Sequence, residues 1–187
     1  MLVRLCLAVK ETDVIHRVLR GDVDSFRLLV ERYQGPVIRM IRNITGDSHI
    51  CEDIAQDVFF TVYKKLGSFD PDRSSLSTWL FTIARNASIN AMKKKSALTV
   101  GALPEPATHN NPSDNLANQE LFAELDRVLQ MLPGRQKRVF VLAELEQLSY
   151  REIAQIEGIR IGTVKSRINR AKKKLRSVFE RIEEGVR

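Results

Sequence analysis

Residues 149–176 read SYREIAQIEGIRIGTVKSRINRAKKKLR, and the register of this stretch decides the fold. Ser149-Tyr-Arg-Glu152 has the spacing of a capping box: the Ser hydroxyl satisfies an orphan N–H of the first helical turn, and the Glu three residues on reaches back to the cap. A short helix starts there, with Ile153, Ala154 and Ile156 on its buried side, and Gly158 suits the left-handed residue that stops it. A longer helix follows from about Ile161. In it Val164, Ile168, Ala171 and Leu175 fall at i, i+4, i+7 and i+11 and form an apolar stripe. That register leaves Lys165, Ser166, Asn169 and Arg170 facing outward. Short helix, glycine turn and long helix together make the pattern of a helix-turn-helix, whose second helix enters the DNA major groove.

The chemistry of the second helix agrees with that placement. Arg160, Lys165, Arg167, Arg170, Lys172, Lys173, Lys174 and Arg176 lie in a run without a single acid, so neighbouring salt bridges cannot neutralise it, and phosphates are its natural counterions. Arg and Lys can donate to guanine O6 and N7, and Asn169 carries the donor–acceptor pair suited to adenine. Lys172 to Lys174 lie further along, where they are expected to grip backbone. A basic helical face alone is often only a solvated surface; here the cap, the turn and the apolar register point independently to the same motif.

Working outward, Leu121, Leu125, Val128, Leu129 and Leu132 mark one face of a helix that Pro133-Gly134 should end, and another helix runs from about Arg135 to Glu146. Upstream, Ser96 to Asn118 contains Pro104, Pro106, Pro112, Gly101 and Asn110-Asn111, with no aromatic, Lys or Arg residue, and reads as a linker. It would span about 75 Å fully extended, at roughly 3.3 Å per residue. From Asp13 to Lys95 the apolar spacing is helical, as in Phe26, Leu29, Val30 and Tyr33 and again in Val37, Ile38 and Ile41, with Gly35-Pro36 as the expected break between them. Between His49 and Leu66, Ile54, Val58, Val62 and Leu66 form a core stripe, while Glu52, Asp53, Gln56, Asp57 and Phe60 fall elsewhere on the same helix. Such an acidic, partly aromatic face would repel phosphate. Its more sensible use is docking to a protein, although an ordinary solvated face at a helix N-terminus has the same composition.

Composition bounds the reading. The chain has 187 residues, 30 Lys and Arg against 23 Asp and Glu, and a net charge of +7, which favours an anionic partner. Cys6 and Cys51 form no CxxC pair and no His cluster joins them, so neither a disulfide framework nor a metal site is indicated and a reducing cytoplasm is the expected setting. The apolar run at the N-terminus is broken by Arg4 and lacks the length of a secretory signal. No stretch approaches the roughly 20 apolar residues of a membrane span. An enzyme would have to use Asp47, Glu52, Asp53 and Asp57, yet nothing completes an acid–base or metal geometry around them, and no GxxxxGK phosphate loop occurs. No catalytic residue, metal or cofactor is expected.

The succession CEDIAQDVFFTVYKKLGSFDP, SSLSTWLFTIARNASINAMKK, a polar linker, LQMLPGRQKRVFVLAELEQLSYREIA and GIRIGTVKSRINRAKKKLR closely resembles the extracytoplasmic-function group (group 4) of the sigma-70 family of RNA polymerase sigma factors. The resemblance implies an all-α chain: an extension over 1–12, a region 2 domain over 13–95, a linker over 96–118 and a helix-turn-helix region 4 domain over 119–187. It implies that Asp53, Gln56, Asp57 and Phe60 bind the clamp coiled coil of core RNA polymerase, whose flap is a second contact. Recognition and opening of the minus 10 element would fall to a hydroxyl-rich loop, Arg73, Ser74, Ser75, Ser77 and Thr78, and to Arg85, Asn86, Asn90, Lys93 and Lys94 on the following helix. Unstacking a base costs a few kcal/mol, which a pocket and a basic surface must offset. Trp79 and Phe81 are read as core. Minus 35 recognition would use Arg160, Thr163, Lys165, Ser166, Arg167, Asn169, Arg170 and Lys173. Kinship also implies an anti-sigma factor. The sequence departs from the family at Arg160, where relatives often carry a small or Pro-like turn residue, and in its first dozen residues. The alternative is a stand-alone helix-turn-helix regulator, for which charge on the Asp53–Asp57 face would not matter to polymerase.

Overall fold

A computed structural model describes residues 10–47, 49–98 and 128–185, with the backbone alone described over 95–98 and 179–185. The described residues are helical or in turns and contain no strand, the all-α class expected. The chain divides into two compact units, Met1–Glu105 and Pro106–Arg187. Of the expected linker 96–118, residues 96–98 are still helical, while 99–118, and Leu121 and Leu125 after them, lie outside the described residues.

In the first unit, α1 (Glu11–Leu19) leads through a single 3-10 turn into α2 (Phe26–Thr45), followed by α3 (Cys51–Lys65) and α4 (Leu76–Leu98). Helices α2, α3 and α4 each pack on the other two, and α1 lies on α2. Leu29, Tyr33, Val37, Met40, Ile41 and Ile44 of α2 recur every three or four residues and are all buried. They meet the expected stripe of Ile54, Val58 and Val62 on α3 and Leu66 in the turn that follows it and, from α4, Leu80, Phe81 and Ala84, all buried too. Glu11, read from sequence as part of an extension, opens α1: it accepts the Tyr33 hydroxyl bond and pairs with Arg32. At the corner between α2 and α3, Cys51 is buried and its Sγ donates to the Asp47 carbonyl at 2.9 Å; burial pushes its thiol above the usual range, so it stays a neutral, packed group.

The break expected at Gly35-Pro36 is not there. Helix α2 runs straight through both residues. A proline inside a helix removes one N–H and crowds the residue before it, at a cost of about 3 kcal/mol. Two circumstances offset that cost: Gly35 has no Cβ to meet the proline ring, and the apolar residues on both sides share one buried face, each large side chain contributing about 1.5–3 kcal/mol when removed from water. Packing overrides the local signal.

In the second unit, a helical turn at 128–130 precedes α5 (Gly134–Glu144), α6 (Tyr150–Glu157) and α7 (Ile161–Gly185). Pro133 stands at the N-cap position of α5 and Gly134 opens that helix, so the pair begins one helix as it ends another. All three helices pack on one another. Val128, Leu129, Leu132, Val141, Ala171 and Leu175 form one buried cluster. Arg138 of α5 donates from Nε and Nη2 to the two carboxylate oxygens of Glu157 of α6, at 3.0 and 2.9 Å, with the Glu157 side chain only 1% exposed.

The capping box of α6 is formed in full: the Glu152 N–H donates to Ser149 Oγ at 3.3 Å, and Glu152 Oε2 accepts from the Ser149 N–H at 2.9 Å. Gly158 ends the helix in the left-handed region, φ 64°. Ser149→Ala is expected to cost about 1 kcal/mol, seen as a lower urea midpoint of the second unit at unchanged slope, while Ser149→Thr, which keeps the acceptor, retains most of it.

Candidate nucleic-acid and protein interfaces

The apolar register of α7 fixes what the helix offers to solvent. Val164, Ile168, Ala171 and Leu175 are buried against α5 and α6. Lys165, Ser166, Asn169, Arg170 and Lys173 are consequently exposed along one side, and Thr163 and Arg167 are half-buried at its margin. Arg160, exposed, occupies the position just before α7, its carbonyl accepting from the Thr163 and Val164 N–H groups at 2.9 and 3.2 Å. The Ser166 hydroxyl donates back to the Thr163 carbonyl at 3.0 Å, which leaves its oxygen as an acceptor. All eight residues singled out from sequence therefore lie along one helix and its leading turn, and six of them are open to a ligand. The positive end of the helix and the basic side chains together favour an anion.

Lys172 behaves differently from its neighbours. Its Nζ lies 2.8 Å from Glu144 Oε1 at the end of α5, and that hydrogen bond holds the ammonium's pKa above its usual value. Lys172, expected to grip backbone beside Lys173 and Lys174, thus has an internal charge partner as well.

On α3, Asp53, Gln56, Asp57 and Phe60 are all exposed, at i, i+3, i+4 and i+7, and so form one stripe opposite the buried one. Phe60 is 58% exposed, with Lys64 Nζ 4.1 Å from its ring centroid. The stripe borders a groove of about 600 Å³ between α2 and α3, walled by Val23, Phe26, Val30, Ile38, Phe59 and Tyr63 and shared with Gln56 and Phe60. Phe26 meets Tyr63 edge-on at 5.2 Å. Sequence reading missed this groove, although Phe26, Val30 and Ile38 lie at i, i+4 and i+12 as a second apolar stripe on α2. An apolar trough with an acidic, amide-bearing rim suits a protein partner presenting apolar and basic side chains.

The hydroxyl-rich segment splits in two. Residues 69–75 are non-helical, whereas Ser77 and Thr78 lie in the first turn of α4. Ser75 caps that helix, its Oγ accepting from the Thr78 N–H at 3.3 Å. Arg73 and Ser75 are exposed and Ser74 and Ser77 half-buried, but Thr78 is 1% exposed, with its hydroxyl 2.8 Å from Ser75 Oγ. Thr78 is therefore not brought to the surface with the others and acts as a brace for the loop. Beneath the loop, Phe69 packs on the half-buried Trp79 at 5.3 Å between ring centroids, and Phe81 is in the core. Along α4, Asn86, Asn90, Lys93 and Lys94 are exposed at i, i+4, i+7 and i+8, and Arg85, half-buried, donates to Asn86 Oδ1 at 3.1 Å. This is a polar, basic track leading away from the loop.

Comparison with known proteins gives the two units the same kinship. The Sigma-70 region 2 family matches residues 29–97, and the Sigma-70, region 4 family matches residues 122–175. The ECF RNA polymerase sigma factor SigW of Bacillus subtilis is 33% identical over 182 residues, covering 87% of this chain and 92% of that protein. The ECF RNA polymerase sigma-E factor of Escherichia coli K12 is also 33% identical, over 85% of this chain and 88% of that one. Among solved structures, the sigma factor RpoE of Bartonella quintana, in complex with the anti-sigma factor NepR, superposes with a TM-score of 0.70 at 28% identity, covering 83% of this chain and 96% of that one.

Proposed function

From the premise that this chain belongs to the extracytoplasmic-function sigma factors of the sigma-70 family, we propose that it binds core RNA polymerase, directs it to promoters carrying particular minus 10 and minus 35 elements, and promotes strand opening there. It is a transcription initiation factor and not an enzyme; the phosphoryl-transfer chemistry belongs to the core polymerase. In this reading 13–95 is the region 2 domain, 96–118 the linker and 119–187 the region 4 domain.

One observation carries the assignment of surfaces: the chain combines an exposed acidic and aromatic stripe on α3 with an exposed basic side on α7. The first repels DNA and suits the polymerase clamp coiled coil; the second attracts DNA and suits the minus 35 element. Asp53, Gln56, Asp57 and Phe60 would make the clamp contact, with the polymerase flap held by the region 4 domain. Arg73, Ser74, Ser75 and Ser77 would receive the extruded minus 10 base, and Arg85, Asn86, Asn90, Lys93 and Lys94 would follow the non-template strand along α4. Arg160, Lys165, Ser166, Asn169, Arg170 and Lys173 would meet the minus 35 duplex, Thr163 and Arg167 supporting them from the margin. An anti-sigma factor is the proposed inhibitory partner, by analogy with the Bartonella complex. The proposed compartment is the cytoplasm, where polymerase and chromosome meet; no described helix is long and apolar enough to cross a membrane.

The test is co-elution of the purified chain with core polymerase from its own host, followed by transcription from a pool of promoter fragments. Stoichiometric co-elution with selective initiation is the expected result. Duplex binding without polymerase association would replace this reading by the stand-alone regulator.

A further inference from the structure

Glu144, the last residue of α5, reaches across to the middle of α7 and takes one of its ammonium groups: Lys172 Nζ to Glu144 Oε1 is 2.8 Å. Lys172 lies three residues after Asn169 and seven after Lys165, so it stands at the margin of the outward side of α7, between that side and the apolar stripe. A lysine in this place is within reach of a phosphate flanking whatever the helix reads. The two side chains are 51% and 37% exposed, so the pair is open to water and exchangeable rather than a buried lock. Geometry therefore puts a carboxylate in competition with DNA phosphate for the same ammonium, on a helix whose basic residues from Lys165 to Arg176 lie in a stretch without acids.

We propose that Glu144 serves as an internal substitute for a DNA phosphate, keeping Lys172 out of the phosphate-binding set and so holding down the sequence-independent affinity of the region 4 unit. The inference rests on the reading that α7 lies on duplex DNA. Its physical content is a count. A lysine neutralised by a carboxylate releases no counterion when it meets DNA, whereas a lysine set free releases about one, so removing Glu144 should raise the number of engaged phosphates by one. The gain in affinity is sequence-independent because phosphate contacts carry no base information. A sigma factor benefits from such restraint: binding that ignores sequence ties it up on the chromosome, and specificity depends on the ratio of the two affinities.

The experiment uses the full chain and a labelled mixed-sequence duplex of about 30 base pairs, with binding followed by fluorescence anisotropy across a salt series. With about four phosphates engaged, the unmodified chain is expected to lose log affinity against log salt with a slope of about −3.6. Glu144→Gln is expected to steepen the slope to about −4.5 and tighten binding about two- to fivefold at low salt. In Glu144→Gln/Lys172→Gln the slope is expected to return to the unmodified value. A slope left unchanged by Glu144→Gln overturns the proposal. So does steepening that persists in the double variant, because that would be general relief of repulsion and not release of Lys172. A flat salt response of the unmodified chain overturns the DNA-binding reading itself, and the inference falls with it; the single-variant comparison separates the two failures.

Discussion

Asp53→Lys/Asp57→Lys is expected to abolish association with core polymerase while leaving duplex affinity undiminished. Both carboxylates are exposed one turn apart on α3, beside Gln56 and the 58% exposed Phe60. A surface that complements them must be basic, and placing like charges opposite one another costs several kcal/mol. Two reversals therefore predict a loss of about 3–4 kcal/mol, or about 10²- to 10³-fold in affinity. The cost to folding is much smaller, since an exposed acid in the first turn of a helix contributes only about 0.3–1 kcal/mol through the helix dipole. The measurement is a titration of labelled chain against core polymerase, with thermal melting as control. Normal melting and lost polymerase binding is the predicted combination. Undiminished binding by the reversed chain would remove α3 from the interface.

The second large effect concerns stability. Arg138→Ala leaves the Glu157 carboxylate, 1% exposed, without the guanidinium that grips both of its oxygens. Removing one partner of a buried pair typically costs about 3–5 kcal/mol, a large part of the roughly 5–15 kcal/mol that holds a domain folded. Because the pair ties α5 to α6, and both support α7, the second unit should melt early and bind duplex DNA weakly. Arg138→Met/Glu157→Leu removes both charges and keeps volume; such replacements are often neutral or stabilising, and this one should restore melting and duplex binding together. Failure of the double variant to recover would mean that the pair supplies geometry which packing alone cannot.

What was readable in the sequence, and what was not, follows from the range of the interactions. The cap at Ser149 and Glu152, the stop at Gly158 and the stripe Val164, Ile168, Ala171 and Leu175 depend on neighbours within a turn or two, and each appears as read. So does the division of 53–66 into the buried Ile54, Val58, Val62 and Leu66 and the exposed Asp53, Gln56, Asp57 and Phe60. Gly35-Pro36 misled because a dipeptide signal competes with burial of a whole helix face, and burial prevailed. The hydroxyl segment reads from sequence as one loop, yet Ser75 begins a helix with its own side chain, drawing Ser77 and Thr78 into the first turn. The groove beside Phe60 exists only where two helices meet, and the partner of Lys172 lies on another helix. Neither could be found by walking along the chain.

The unbroken passage of α2 through Pro36 also bears on how the first unit assembles. Helices grow by adding hydrogen bonds one residue at a time, and a proline interrupts that growth. Before α3 and α4 arrive, the stretch has two half-helices, each too short to persist in water on its own, and neither can act as an early nucleus. Continuity of α2 is therefore expected to be completed as α3 and α4 dock, with collapse preceding helix completion. On this expectation the rod on which the other helices of the unit are mounted is itself a late product of their arrival.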